Sequence, residues 1–191
     1  MKSTLTNMVL SLGTITIVAA ALLAGVYSVT KEPIEEANRQ KTTEAIAAVL
    51  PEGVDIAEGQ EVIVGGESRP VTIYTASKDG QPAGAAVESY SLDGFSGEIN
   101  IIYGFDAEGT VTGFEVIQQA ETPGLGAKMN DWFRMTEGRR SIIGLNSSAN
   151  NLTVSKDGGD VDAITAATIT SRAFLDALRR ADAAFRQTTA N

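Results

Sequence analysis

The longest feature of the hydropathy pattern is a run without charge: residues 3–30 are 28 consecutive positions lacking Asp, Glu, Lys and Arg. Its apolar centre, residues 8–29, is long enough at about 1.5 Å per residue to cross roughly 30 Å of hydrocarbon, and predicts a transmembrane helix. A cleaved leader is the competing expectation, because Lys2 precedes the run and Ala19, Ala20 and Ala21 are small. The run continues through Leu22, Leu23, Val26 and Tyr27, beyond the roughly 7 to 15 apolar residues of a leader, so an uncleaved anchor over residues 1–30 is expected. Thr30 and Pro33 then mark the start of a second helix, with Glu35 and Glu36 in its first turn where the helix dipole favours acids. Ile34, Ala37, Ala45, Ile46, Val49 and Leu50 give it a broken apolar stripe that stops at Pro51 and Gly53. This predicts a stalk helix over residues 31–51 and a single domain over residues 52–191.

Within that domain the period changes. Residues 71–76 alternate weakly, residues 78–81 read as a turn, and residues 83–91 can return as a second strand. Residues 99–105, a turn at 106–109 and residues 111–117 repeat the plan. Helical spacing follows over residues 130–137, and again over 172–187, where Ala173, Phe174, Ala177, Leu178, Ala181, Ala184 and Phe185 share one face. The fold class expected is α+β, with antiparallel hairpins and flanking helices. Trp132 and Phe133 are expected in the core rather than against a ligand, given the area aromatic rings bury. Arg139, Arg140, Arg179 and Arg180 are expected to be solvated.

Composition removes whole classes of function. A formal charge of −9 with no long basic run argues against nucleic acid, whose phosphates demand a positive surface. The chain has no Cys and no His. It therefore cannot hold an iron–sulfur cluster in the usual way, attach a c-type haem or build a Ser-His-Asp or Cys-His catalytic site, and no metal ligand set is expected. Any electron chemistry must rest on an organic cofactor, because the remaining side chains carry electrons poorly.

Two stretches are candidates to hold one. Glu121-Thr122-Pro123-Gly124-Leu125-Gly126-Ala127-Lys128 joins a strand to a helix, and its glycines allow a backbone to approach a ligand closely. Lys128 reads as a solvated charge, or as one that offsets a flavin phosphate. Residues 162–171 pack Asp162, Thr165, Thr168, Thr170 and Ser171 ahead of the last helix. Thr and Ser there are ordinarily N-caps; the same helix start is also a natural phosphate site.

Asp162-Ala163-Ile164-Thr165-Ala166-Ala167-Thr168 resembles the flavinylation motif of the FMN-binding domain family, and Glu121-Thr122-Pro123-Gly124-Leu125-Gly126 resembles that family's second motif. The resemblance covers roughly residues 94–185, and departs from the family pattern at Ala166, where Gly is usual. It implies FMN as cofactor, joined by a phosphoester to Thr168, with Asp162, Thr165, Ala167 and Thr170 ordering the loop and phosphate. Glu121, Thr122, Leu125 and Gly126 would shape the ring pocket. The absence of Cys and His agrees, since it leaves no thioether or histidyl link to a flavin. The family motif selects Thr168 among the four hydroxyls.

A separate flavin transferase would make the bond, and no side chain of this chain would act as a catalyst. With one anchor and 191 residues, the chain is most similar to the branch of the family serving Rnf-type ion-translocating ferredoxin:NAD+ oxidoreductases. The branch in sodium-pumping NADH:quinone reductases, or a cofactor-free tethered assembly module, is the alternative. Expected partners are other subunits of a membrane redox complex and membrane lipid. The expected place is the cell membrane, crossed once, with the C-terminal domain on the extracytoplasmic side.

Overall fold

The computed structural model describes residues 4–189. The chain forms two compact units, one ending at Lys41 and one beginning at Thr42. In place of an anchor followed by a separate stalk, one uninterrupted helix, α1, runs over Leu5–Val49 with Pro33 inside it. Thr30 does not cap a new helix; its hydroxyl donates backwards to the carbonyl of Val26 at 2.9 Å, as a mid-helix Thr does. Pro33 removes only one backbone donor from the ladder, and the Lys31–Glu35 pair at 3.8 Å spans the same turn. An 18-residue window of this helix has mean hydropathy 2.3 and none of it is buried, which makes α1 long and apolar enough to cross a membrane.

The second unit is the expected α+β domain. Its strands are β1 (Asp55–Ile56), β2 (Gln60–Val62), β3 (Val71–Lys78), β4 (Gln81–Gly94), β5 (Gly97–Phe105) and β6 (Val111–Gln118), followed by a short helix α2 (Met129–Trp132) and a long one, α3 (Thr168–Thr189). The sheet is antiparallel in the order β1-β3-β4-β5-β6, and β2 also pairs with β3. The two hairpins stand where alternation places them. β1 and β2 are too short to show a period, and sequence gives no sign of them.

The sheet is covered on both faces. Ile99, Ile101, Tyr103 and Phe105 of β5 join Phe114 and the α3 residues Phe174, Leu178 and Phe185 in one core. Ile102, Ala76 and Ala86 face the other way, onto Ala45, Ile46, Val49 and Leu50 at the end of α1. That end is seated closely: a Cβ on Gly104 would stand 2.2 Å from the Val49 carbonyl oxygen, and Thr112 donates its hydroxyl to the same oxygen at 2.7 Å. Two buried faces explain why β5 reads as a nearly continuous apolar run.

Phe174 is the hub of the larger core. Its ring stacks on Phe133 at 4.1 Å and meets Phe114 and Tyr103 edge-on at 5.0 and 5.6 Å. The Tyr103 hydroxyl donates to its carbonyl at 2.7 Å. Each such side chain contributes about 1.5–3 kcal/mol by leaving water, and together they fix α3 against β4 and β5.

The helix expected over residues 130–137 is a single turn. Its two core residues, Met129 and Phe133, are both fully buried and joined by a Phe133 N–H to Met129 carbonyl bond of 3.3 Å. The chain then tightens through i→i+3 bonds at Arg134 and Met135, passes Gly138 at φ +66°, and returns to give Ile142 N–H to the Phe133 carbonyl. Trp132 packs against the core as expected, its indole N–H on the carbonyl of Asp162 at 2.9 Å. Arg180 is a further correction. It is mostly buried, stacked over Tyr90 and paired with Asp176 and Glu67.

Candidate functional site

Three loops meet at one end of the sheet: the β4–β5 hairpin tip at 94–97, the segment 119–128 after β6, and the turn leading into α3. A buried carboxylate joins them. Glu121, 5 % exposed, accepts the Ser96 N–H at 3.1 Å through Oε1 and the Thr170 hydroxyl at 2.7 Å through Oε2. Gly126 lies beneath this pair. A Cβ there would come within 2.6 Å of both Glu121 Oε2 and Thr170 Oγ1, so the glycine is required for space.

Each side wall of the cleft is a tight turn of the same kind. In Thr122-Pro123-Gly124-Leu125 the Leu125 N–H returns to the Thr122 carbonyl at 3.1 Å, with Gly124 at φ +79°. In Ile164-Thr165-Ala166-Ala167 the Ala167 N–H returns to the Ile164 carbonyl at 3.0 Å, with Ala166 at φ +61°. A positive φ at the third residue alone is the pattern of a type II turn, which favours Gly there. Ala166 therefore holds the conformation that a family glycine would adopt without strain, at a cost of about 1–2 kcal/mol.

The hydroxyls ahead of α3 divide by use. Ser171, fully buried, accepts the Ile164 N–H and donates to the Ala167 carbonyl, both at 2.9 Å, stapling the turn to the helix. Thr170, 1 % exposed, is committed to Glu121. Neither is an N-cap. The first intrahelical bond, Ser171 N–H to Ala167 carbonyl at 3.0 Å, puts Ala167 at that position, and alanine offers no side-chain acceptor to the first-turn N–H groups. Thr168 opens the helix, half-buried, and lines the cleft.

The resulting cleft of about 310 Å³ is lined by Phe95, Glu121, Thr122, Leu125, Gly126, Ala166, Ala167, Thr168, Ile169 and Thr170. Its exposed rim is apolar: Phe95, Leu125 and Ile169 are 66, 40 and 49 % exposed. An apolar lip beside a threonine at a helix start suits a ligand with an apolar ring at one end and an anion at the other.

Seven of the residues expected from sequence thus line one cleft: Glu121, Thr122, Leu125, Gly126, Ala167, Thr168 and Thr170. Three do not. Asp162 turns towards the 138–140 segment, accepting the Arg139 N–H at 3.3 Å and pairing with its guanidinium at 3.6 Å. Thr165 is exposed on the outside of its turn, and Lys128 ends a short 3-10 turn facing solvent.

Sequence reasoning missed Phe95, Ile169 and, above all, Lys156. The Lys156 ammonium lies 3.4 Å from Thr168 Oγ1. Beside it, Asp157 accepts two hydrogen bonds from Arg172, at 2.7 and 2.8 Å. The hydrogen bond from Arg172 holds the Asp157 carboxyl below its usual range against the opposing effect of desolvation, with the charges of Arg172 and Lys156 adding to it. The only sequence signal of Lys156 was a cation 12 positions ahead of Thr168, which no periodicity marks.

Residues 94–182 match the family described as FMN-binding domain, and residues 1–49 match the one described as RnfG N-terminal region. The chain is 36 % identical over 193 residues to the G subunit of the ion-translocating oxidoreductase complex of Aliivibrio fischeri, covering 95 % of this chain and 90 % of that one. It is 32 % identical over 196 residues to the protein so named from Pseudoalteromonas atlantica, covering 94 % and 87 %. With the Salmonella typhimurium protein of that name the identity is 43 % over 113 residues, covering 57 % and 53 %.

Proposed function

Because this chain belongs to the G-subunit family of ion-translocating oxidoreductase complexes, we propose that its cleft holds FMN through a phosphoester to Thr168. The chain is a membrane-anchored, FMN-bearing subunit of an Rnf-type complex and works among that complex's other subunits. Bound FMN supplies the one- and two-electron chemistry that no side chain here can. Thr122, Leu125 and Gly126 shape the apolar part of the site, Glu121 and Thr170 lock its floor, and Asp162 fixes the loop ahead of α3 from behind.

One observation carries the choice of Thr168. Thr170 and Ser171 spend their hydroxyls inside the fold and Thr165 does not line the cleft, whereas Thr168 lines it and starts a 22-residue helix. A separate flavin transferase makes the bond from an activated FMN donor such as a flavin dinucleotide. The Thr168 Oγ1–phosphorus bond forms as the donor's phosphoanhydride bond breaks, the nucleoside monophosphate leaves with the hydroxyl proton, and the chain gains FMN less one water. Co-expressed with such a transferase, the full chain should give a fluorescent band on a denaturing gel and gain the mass of one FMN less one water. Thr168→Val should be dark, while Thr168→Ser retains label and Thr170→Val stays bright. A bright Thr168→Val with a dark Thr170→Val would move the site, and a dark wild type would end the covalent reading.

The α1 span lies in lipid, and the domain stands on the extracytoplasmic side. Lys2 precedes the span and Lys31 after it is embedded among Glu32, Glu35 and Glu36, a slight bias towards an N-terminus inside. Protease added outside spheroplasts should remove the domain; a protected domain reverses the orientation.

A further inference from the structure

We propose that Lys156 is the residue that binds the phosphate of FMN attached at Thr168, a role the sequence motifs leave unassigned; the proposal rests on attachment at Thr168. Other cations near the last helix are already committed. Arg172 stands one turn beyond Thr168 but gives both of its hydrogen bonds to Asp157. Arg139 pairs with Asp162, and Arg179 and Arg180 pair with Asp176. Among the described residues Lys156 has no carboxylate within ion-pair distance, although its charge is felt by its neighbour Asp157, and its ammonium stands 3.4 Å from Thr168 Oγ1. Neither lysine near the site lines the cleft itself; Lys156 reaches it through Thr168 Oγ1, whereas Lys128 ends an exposed 3-10 turn.

The position of Lys156 is held from two sides. It is the middle residue of a 3-10 turn, Ser155–Asp157, whose first N–H returns to the Val161 carbonyl at 2.7 Å and which ends at Gly158 with φ +84°. The paired bonds between Asp157 and Arg172 pin that turn to α3 in register with Thr168. The arrangement also fits an ester phosphate at the helix start. Ala167 at the N-cap leaves the first-turn N–H groups without a side-chain acceptor, and an ammonium beside them supplies a compact charge that a dipole alone does not.

The test uses the full chain in detergent with a flavin transferase, following the rate of flavin incorporation by in-gel fluorescence, and then the 31P resonance of the fully labelled protein. Lys156→Gln should slow incorporation about tenfold, the effect of losing one charge-assisted contact, and should move the 31P resonance. Lys156→Arg should restore most of the rate, and the unfolding midpoint read from Trp132 fluorescence should not change. A wild-type rate and an unmoved resonance in Lys156→Gln overturn the proposal. So does slow incorporation with an unmoved resonance, which would put Lys156 against the transferase instead of the phosphate. A loss in Lys128→Gln with none in Lys156→Gln also overturns it. Label that persists in Thr168→Val removes the attachment site and this proposal together, and the Thr168 variant alone separates that failure from the others.

Discussion

The two side walls of the cleft are the same turn built from different residues. Thr122-Pro123-Gly124-Leu125 has proline at its second position and glycine at its third, the residues that a type II turn adopts at least cost. Ile164-Thr165-Ala166-Ala167 reaches the same backbone with threonine and alanine. The first turn is set by its own residues, since nothing lies within 4 Å of where a Gly124 side chain would stand. The second is imposed from outside: Ser171 binds both of its ends, and Ile164 is buried in the core. A strained residue persists where its surroundings over-determine it. The wall that carries Thr168 is therefore held by the fold, and the opposite wall by local preference.

The largest effect should come from breaking what ties the walls together. Gly126→Ala would drive a methyl to 2.6 Å from Glu121 Oε2 and Thr170 Oγ1, so the carboxylate must leave its partners while still buried. The expected cost is about 3 kcal/mol, the upper end of what leaving a buried hydrogen-bonding group unsatisfied costs. In the full chain this should lower the unfolding midpoint by roughly 6–12 °C, measured by Trp132 fluorescence. Thr170→Val removes one bond without the clash and should cost less, about 1–2 kcal/mol. If Gly126→Ala proves the milder of the two, Glu121 is not pinned between the walls.

How much of this was legible depends on the range of each interaction. The uncharged run, the two hairpins and the last helix rest on local periods, and all appear where those periods put them. Seven cleft residues were also reachable, because two short motifs carry them. What failed to show was long-range or aperiodic. Thr170 meets Glu121 across 49 positions, and nothing near either residue announces the other. Lys156 lies in a segment held by isolated bonds, such as Ser155 N–H to the Val161 carbonyl, where no apolar pattern repeats. Pro33 misled for the opposite reason. It is a strong local signal for a helix start, yet one missing hydrogen bond did not outweigh the continuity of α1. The helix over residues 130–137 was overextended because its two core residues, Met129 and Phe133, need only one turn to share a face.

The smallest effects are the most direct measure of how the two walls differ. Ala166→Gly relieves about 1–2 kcal/mol of left-handed strain, but glycine returns about 0.4–1 kcal/mol of freedom to the unfolded chain. The net gain should be roughly 0.5–1 kcal/mol, or about 1–4 °C in the unfolding midpoint. Gly124→Ala runs the same balance backwards in open space, and should lose a similar amount. Flavin incorporation at Thr168 should stay at the wild-type rate in both, because each turn already has the geometry that the substitution would favour or tolerate. Equal and opposite shifts would mean that the cost of the left-handed residue is local and that the two turns differ only in who bears it. A larger loss at Gly124 than gain at Ala166 would mean that the bonds of Ser171 have already absorbed part of the strain on the Thr168 side. If Ala166→Gly instead speeds incorporation, the turn is not held by the fold in solution, and the distinction between an imposed wall and a self-determined one fails.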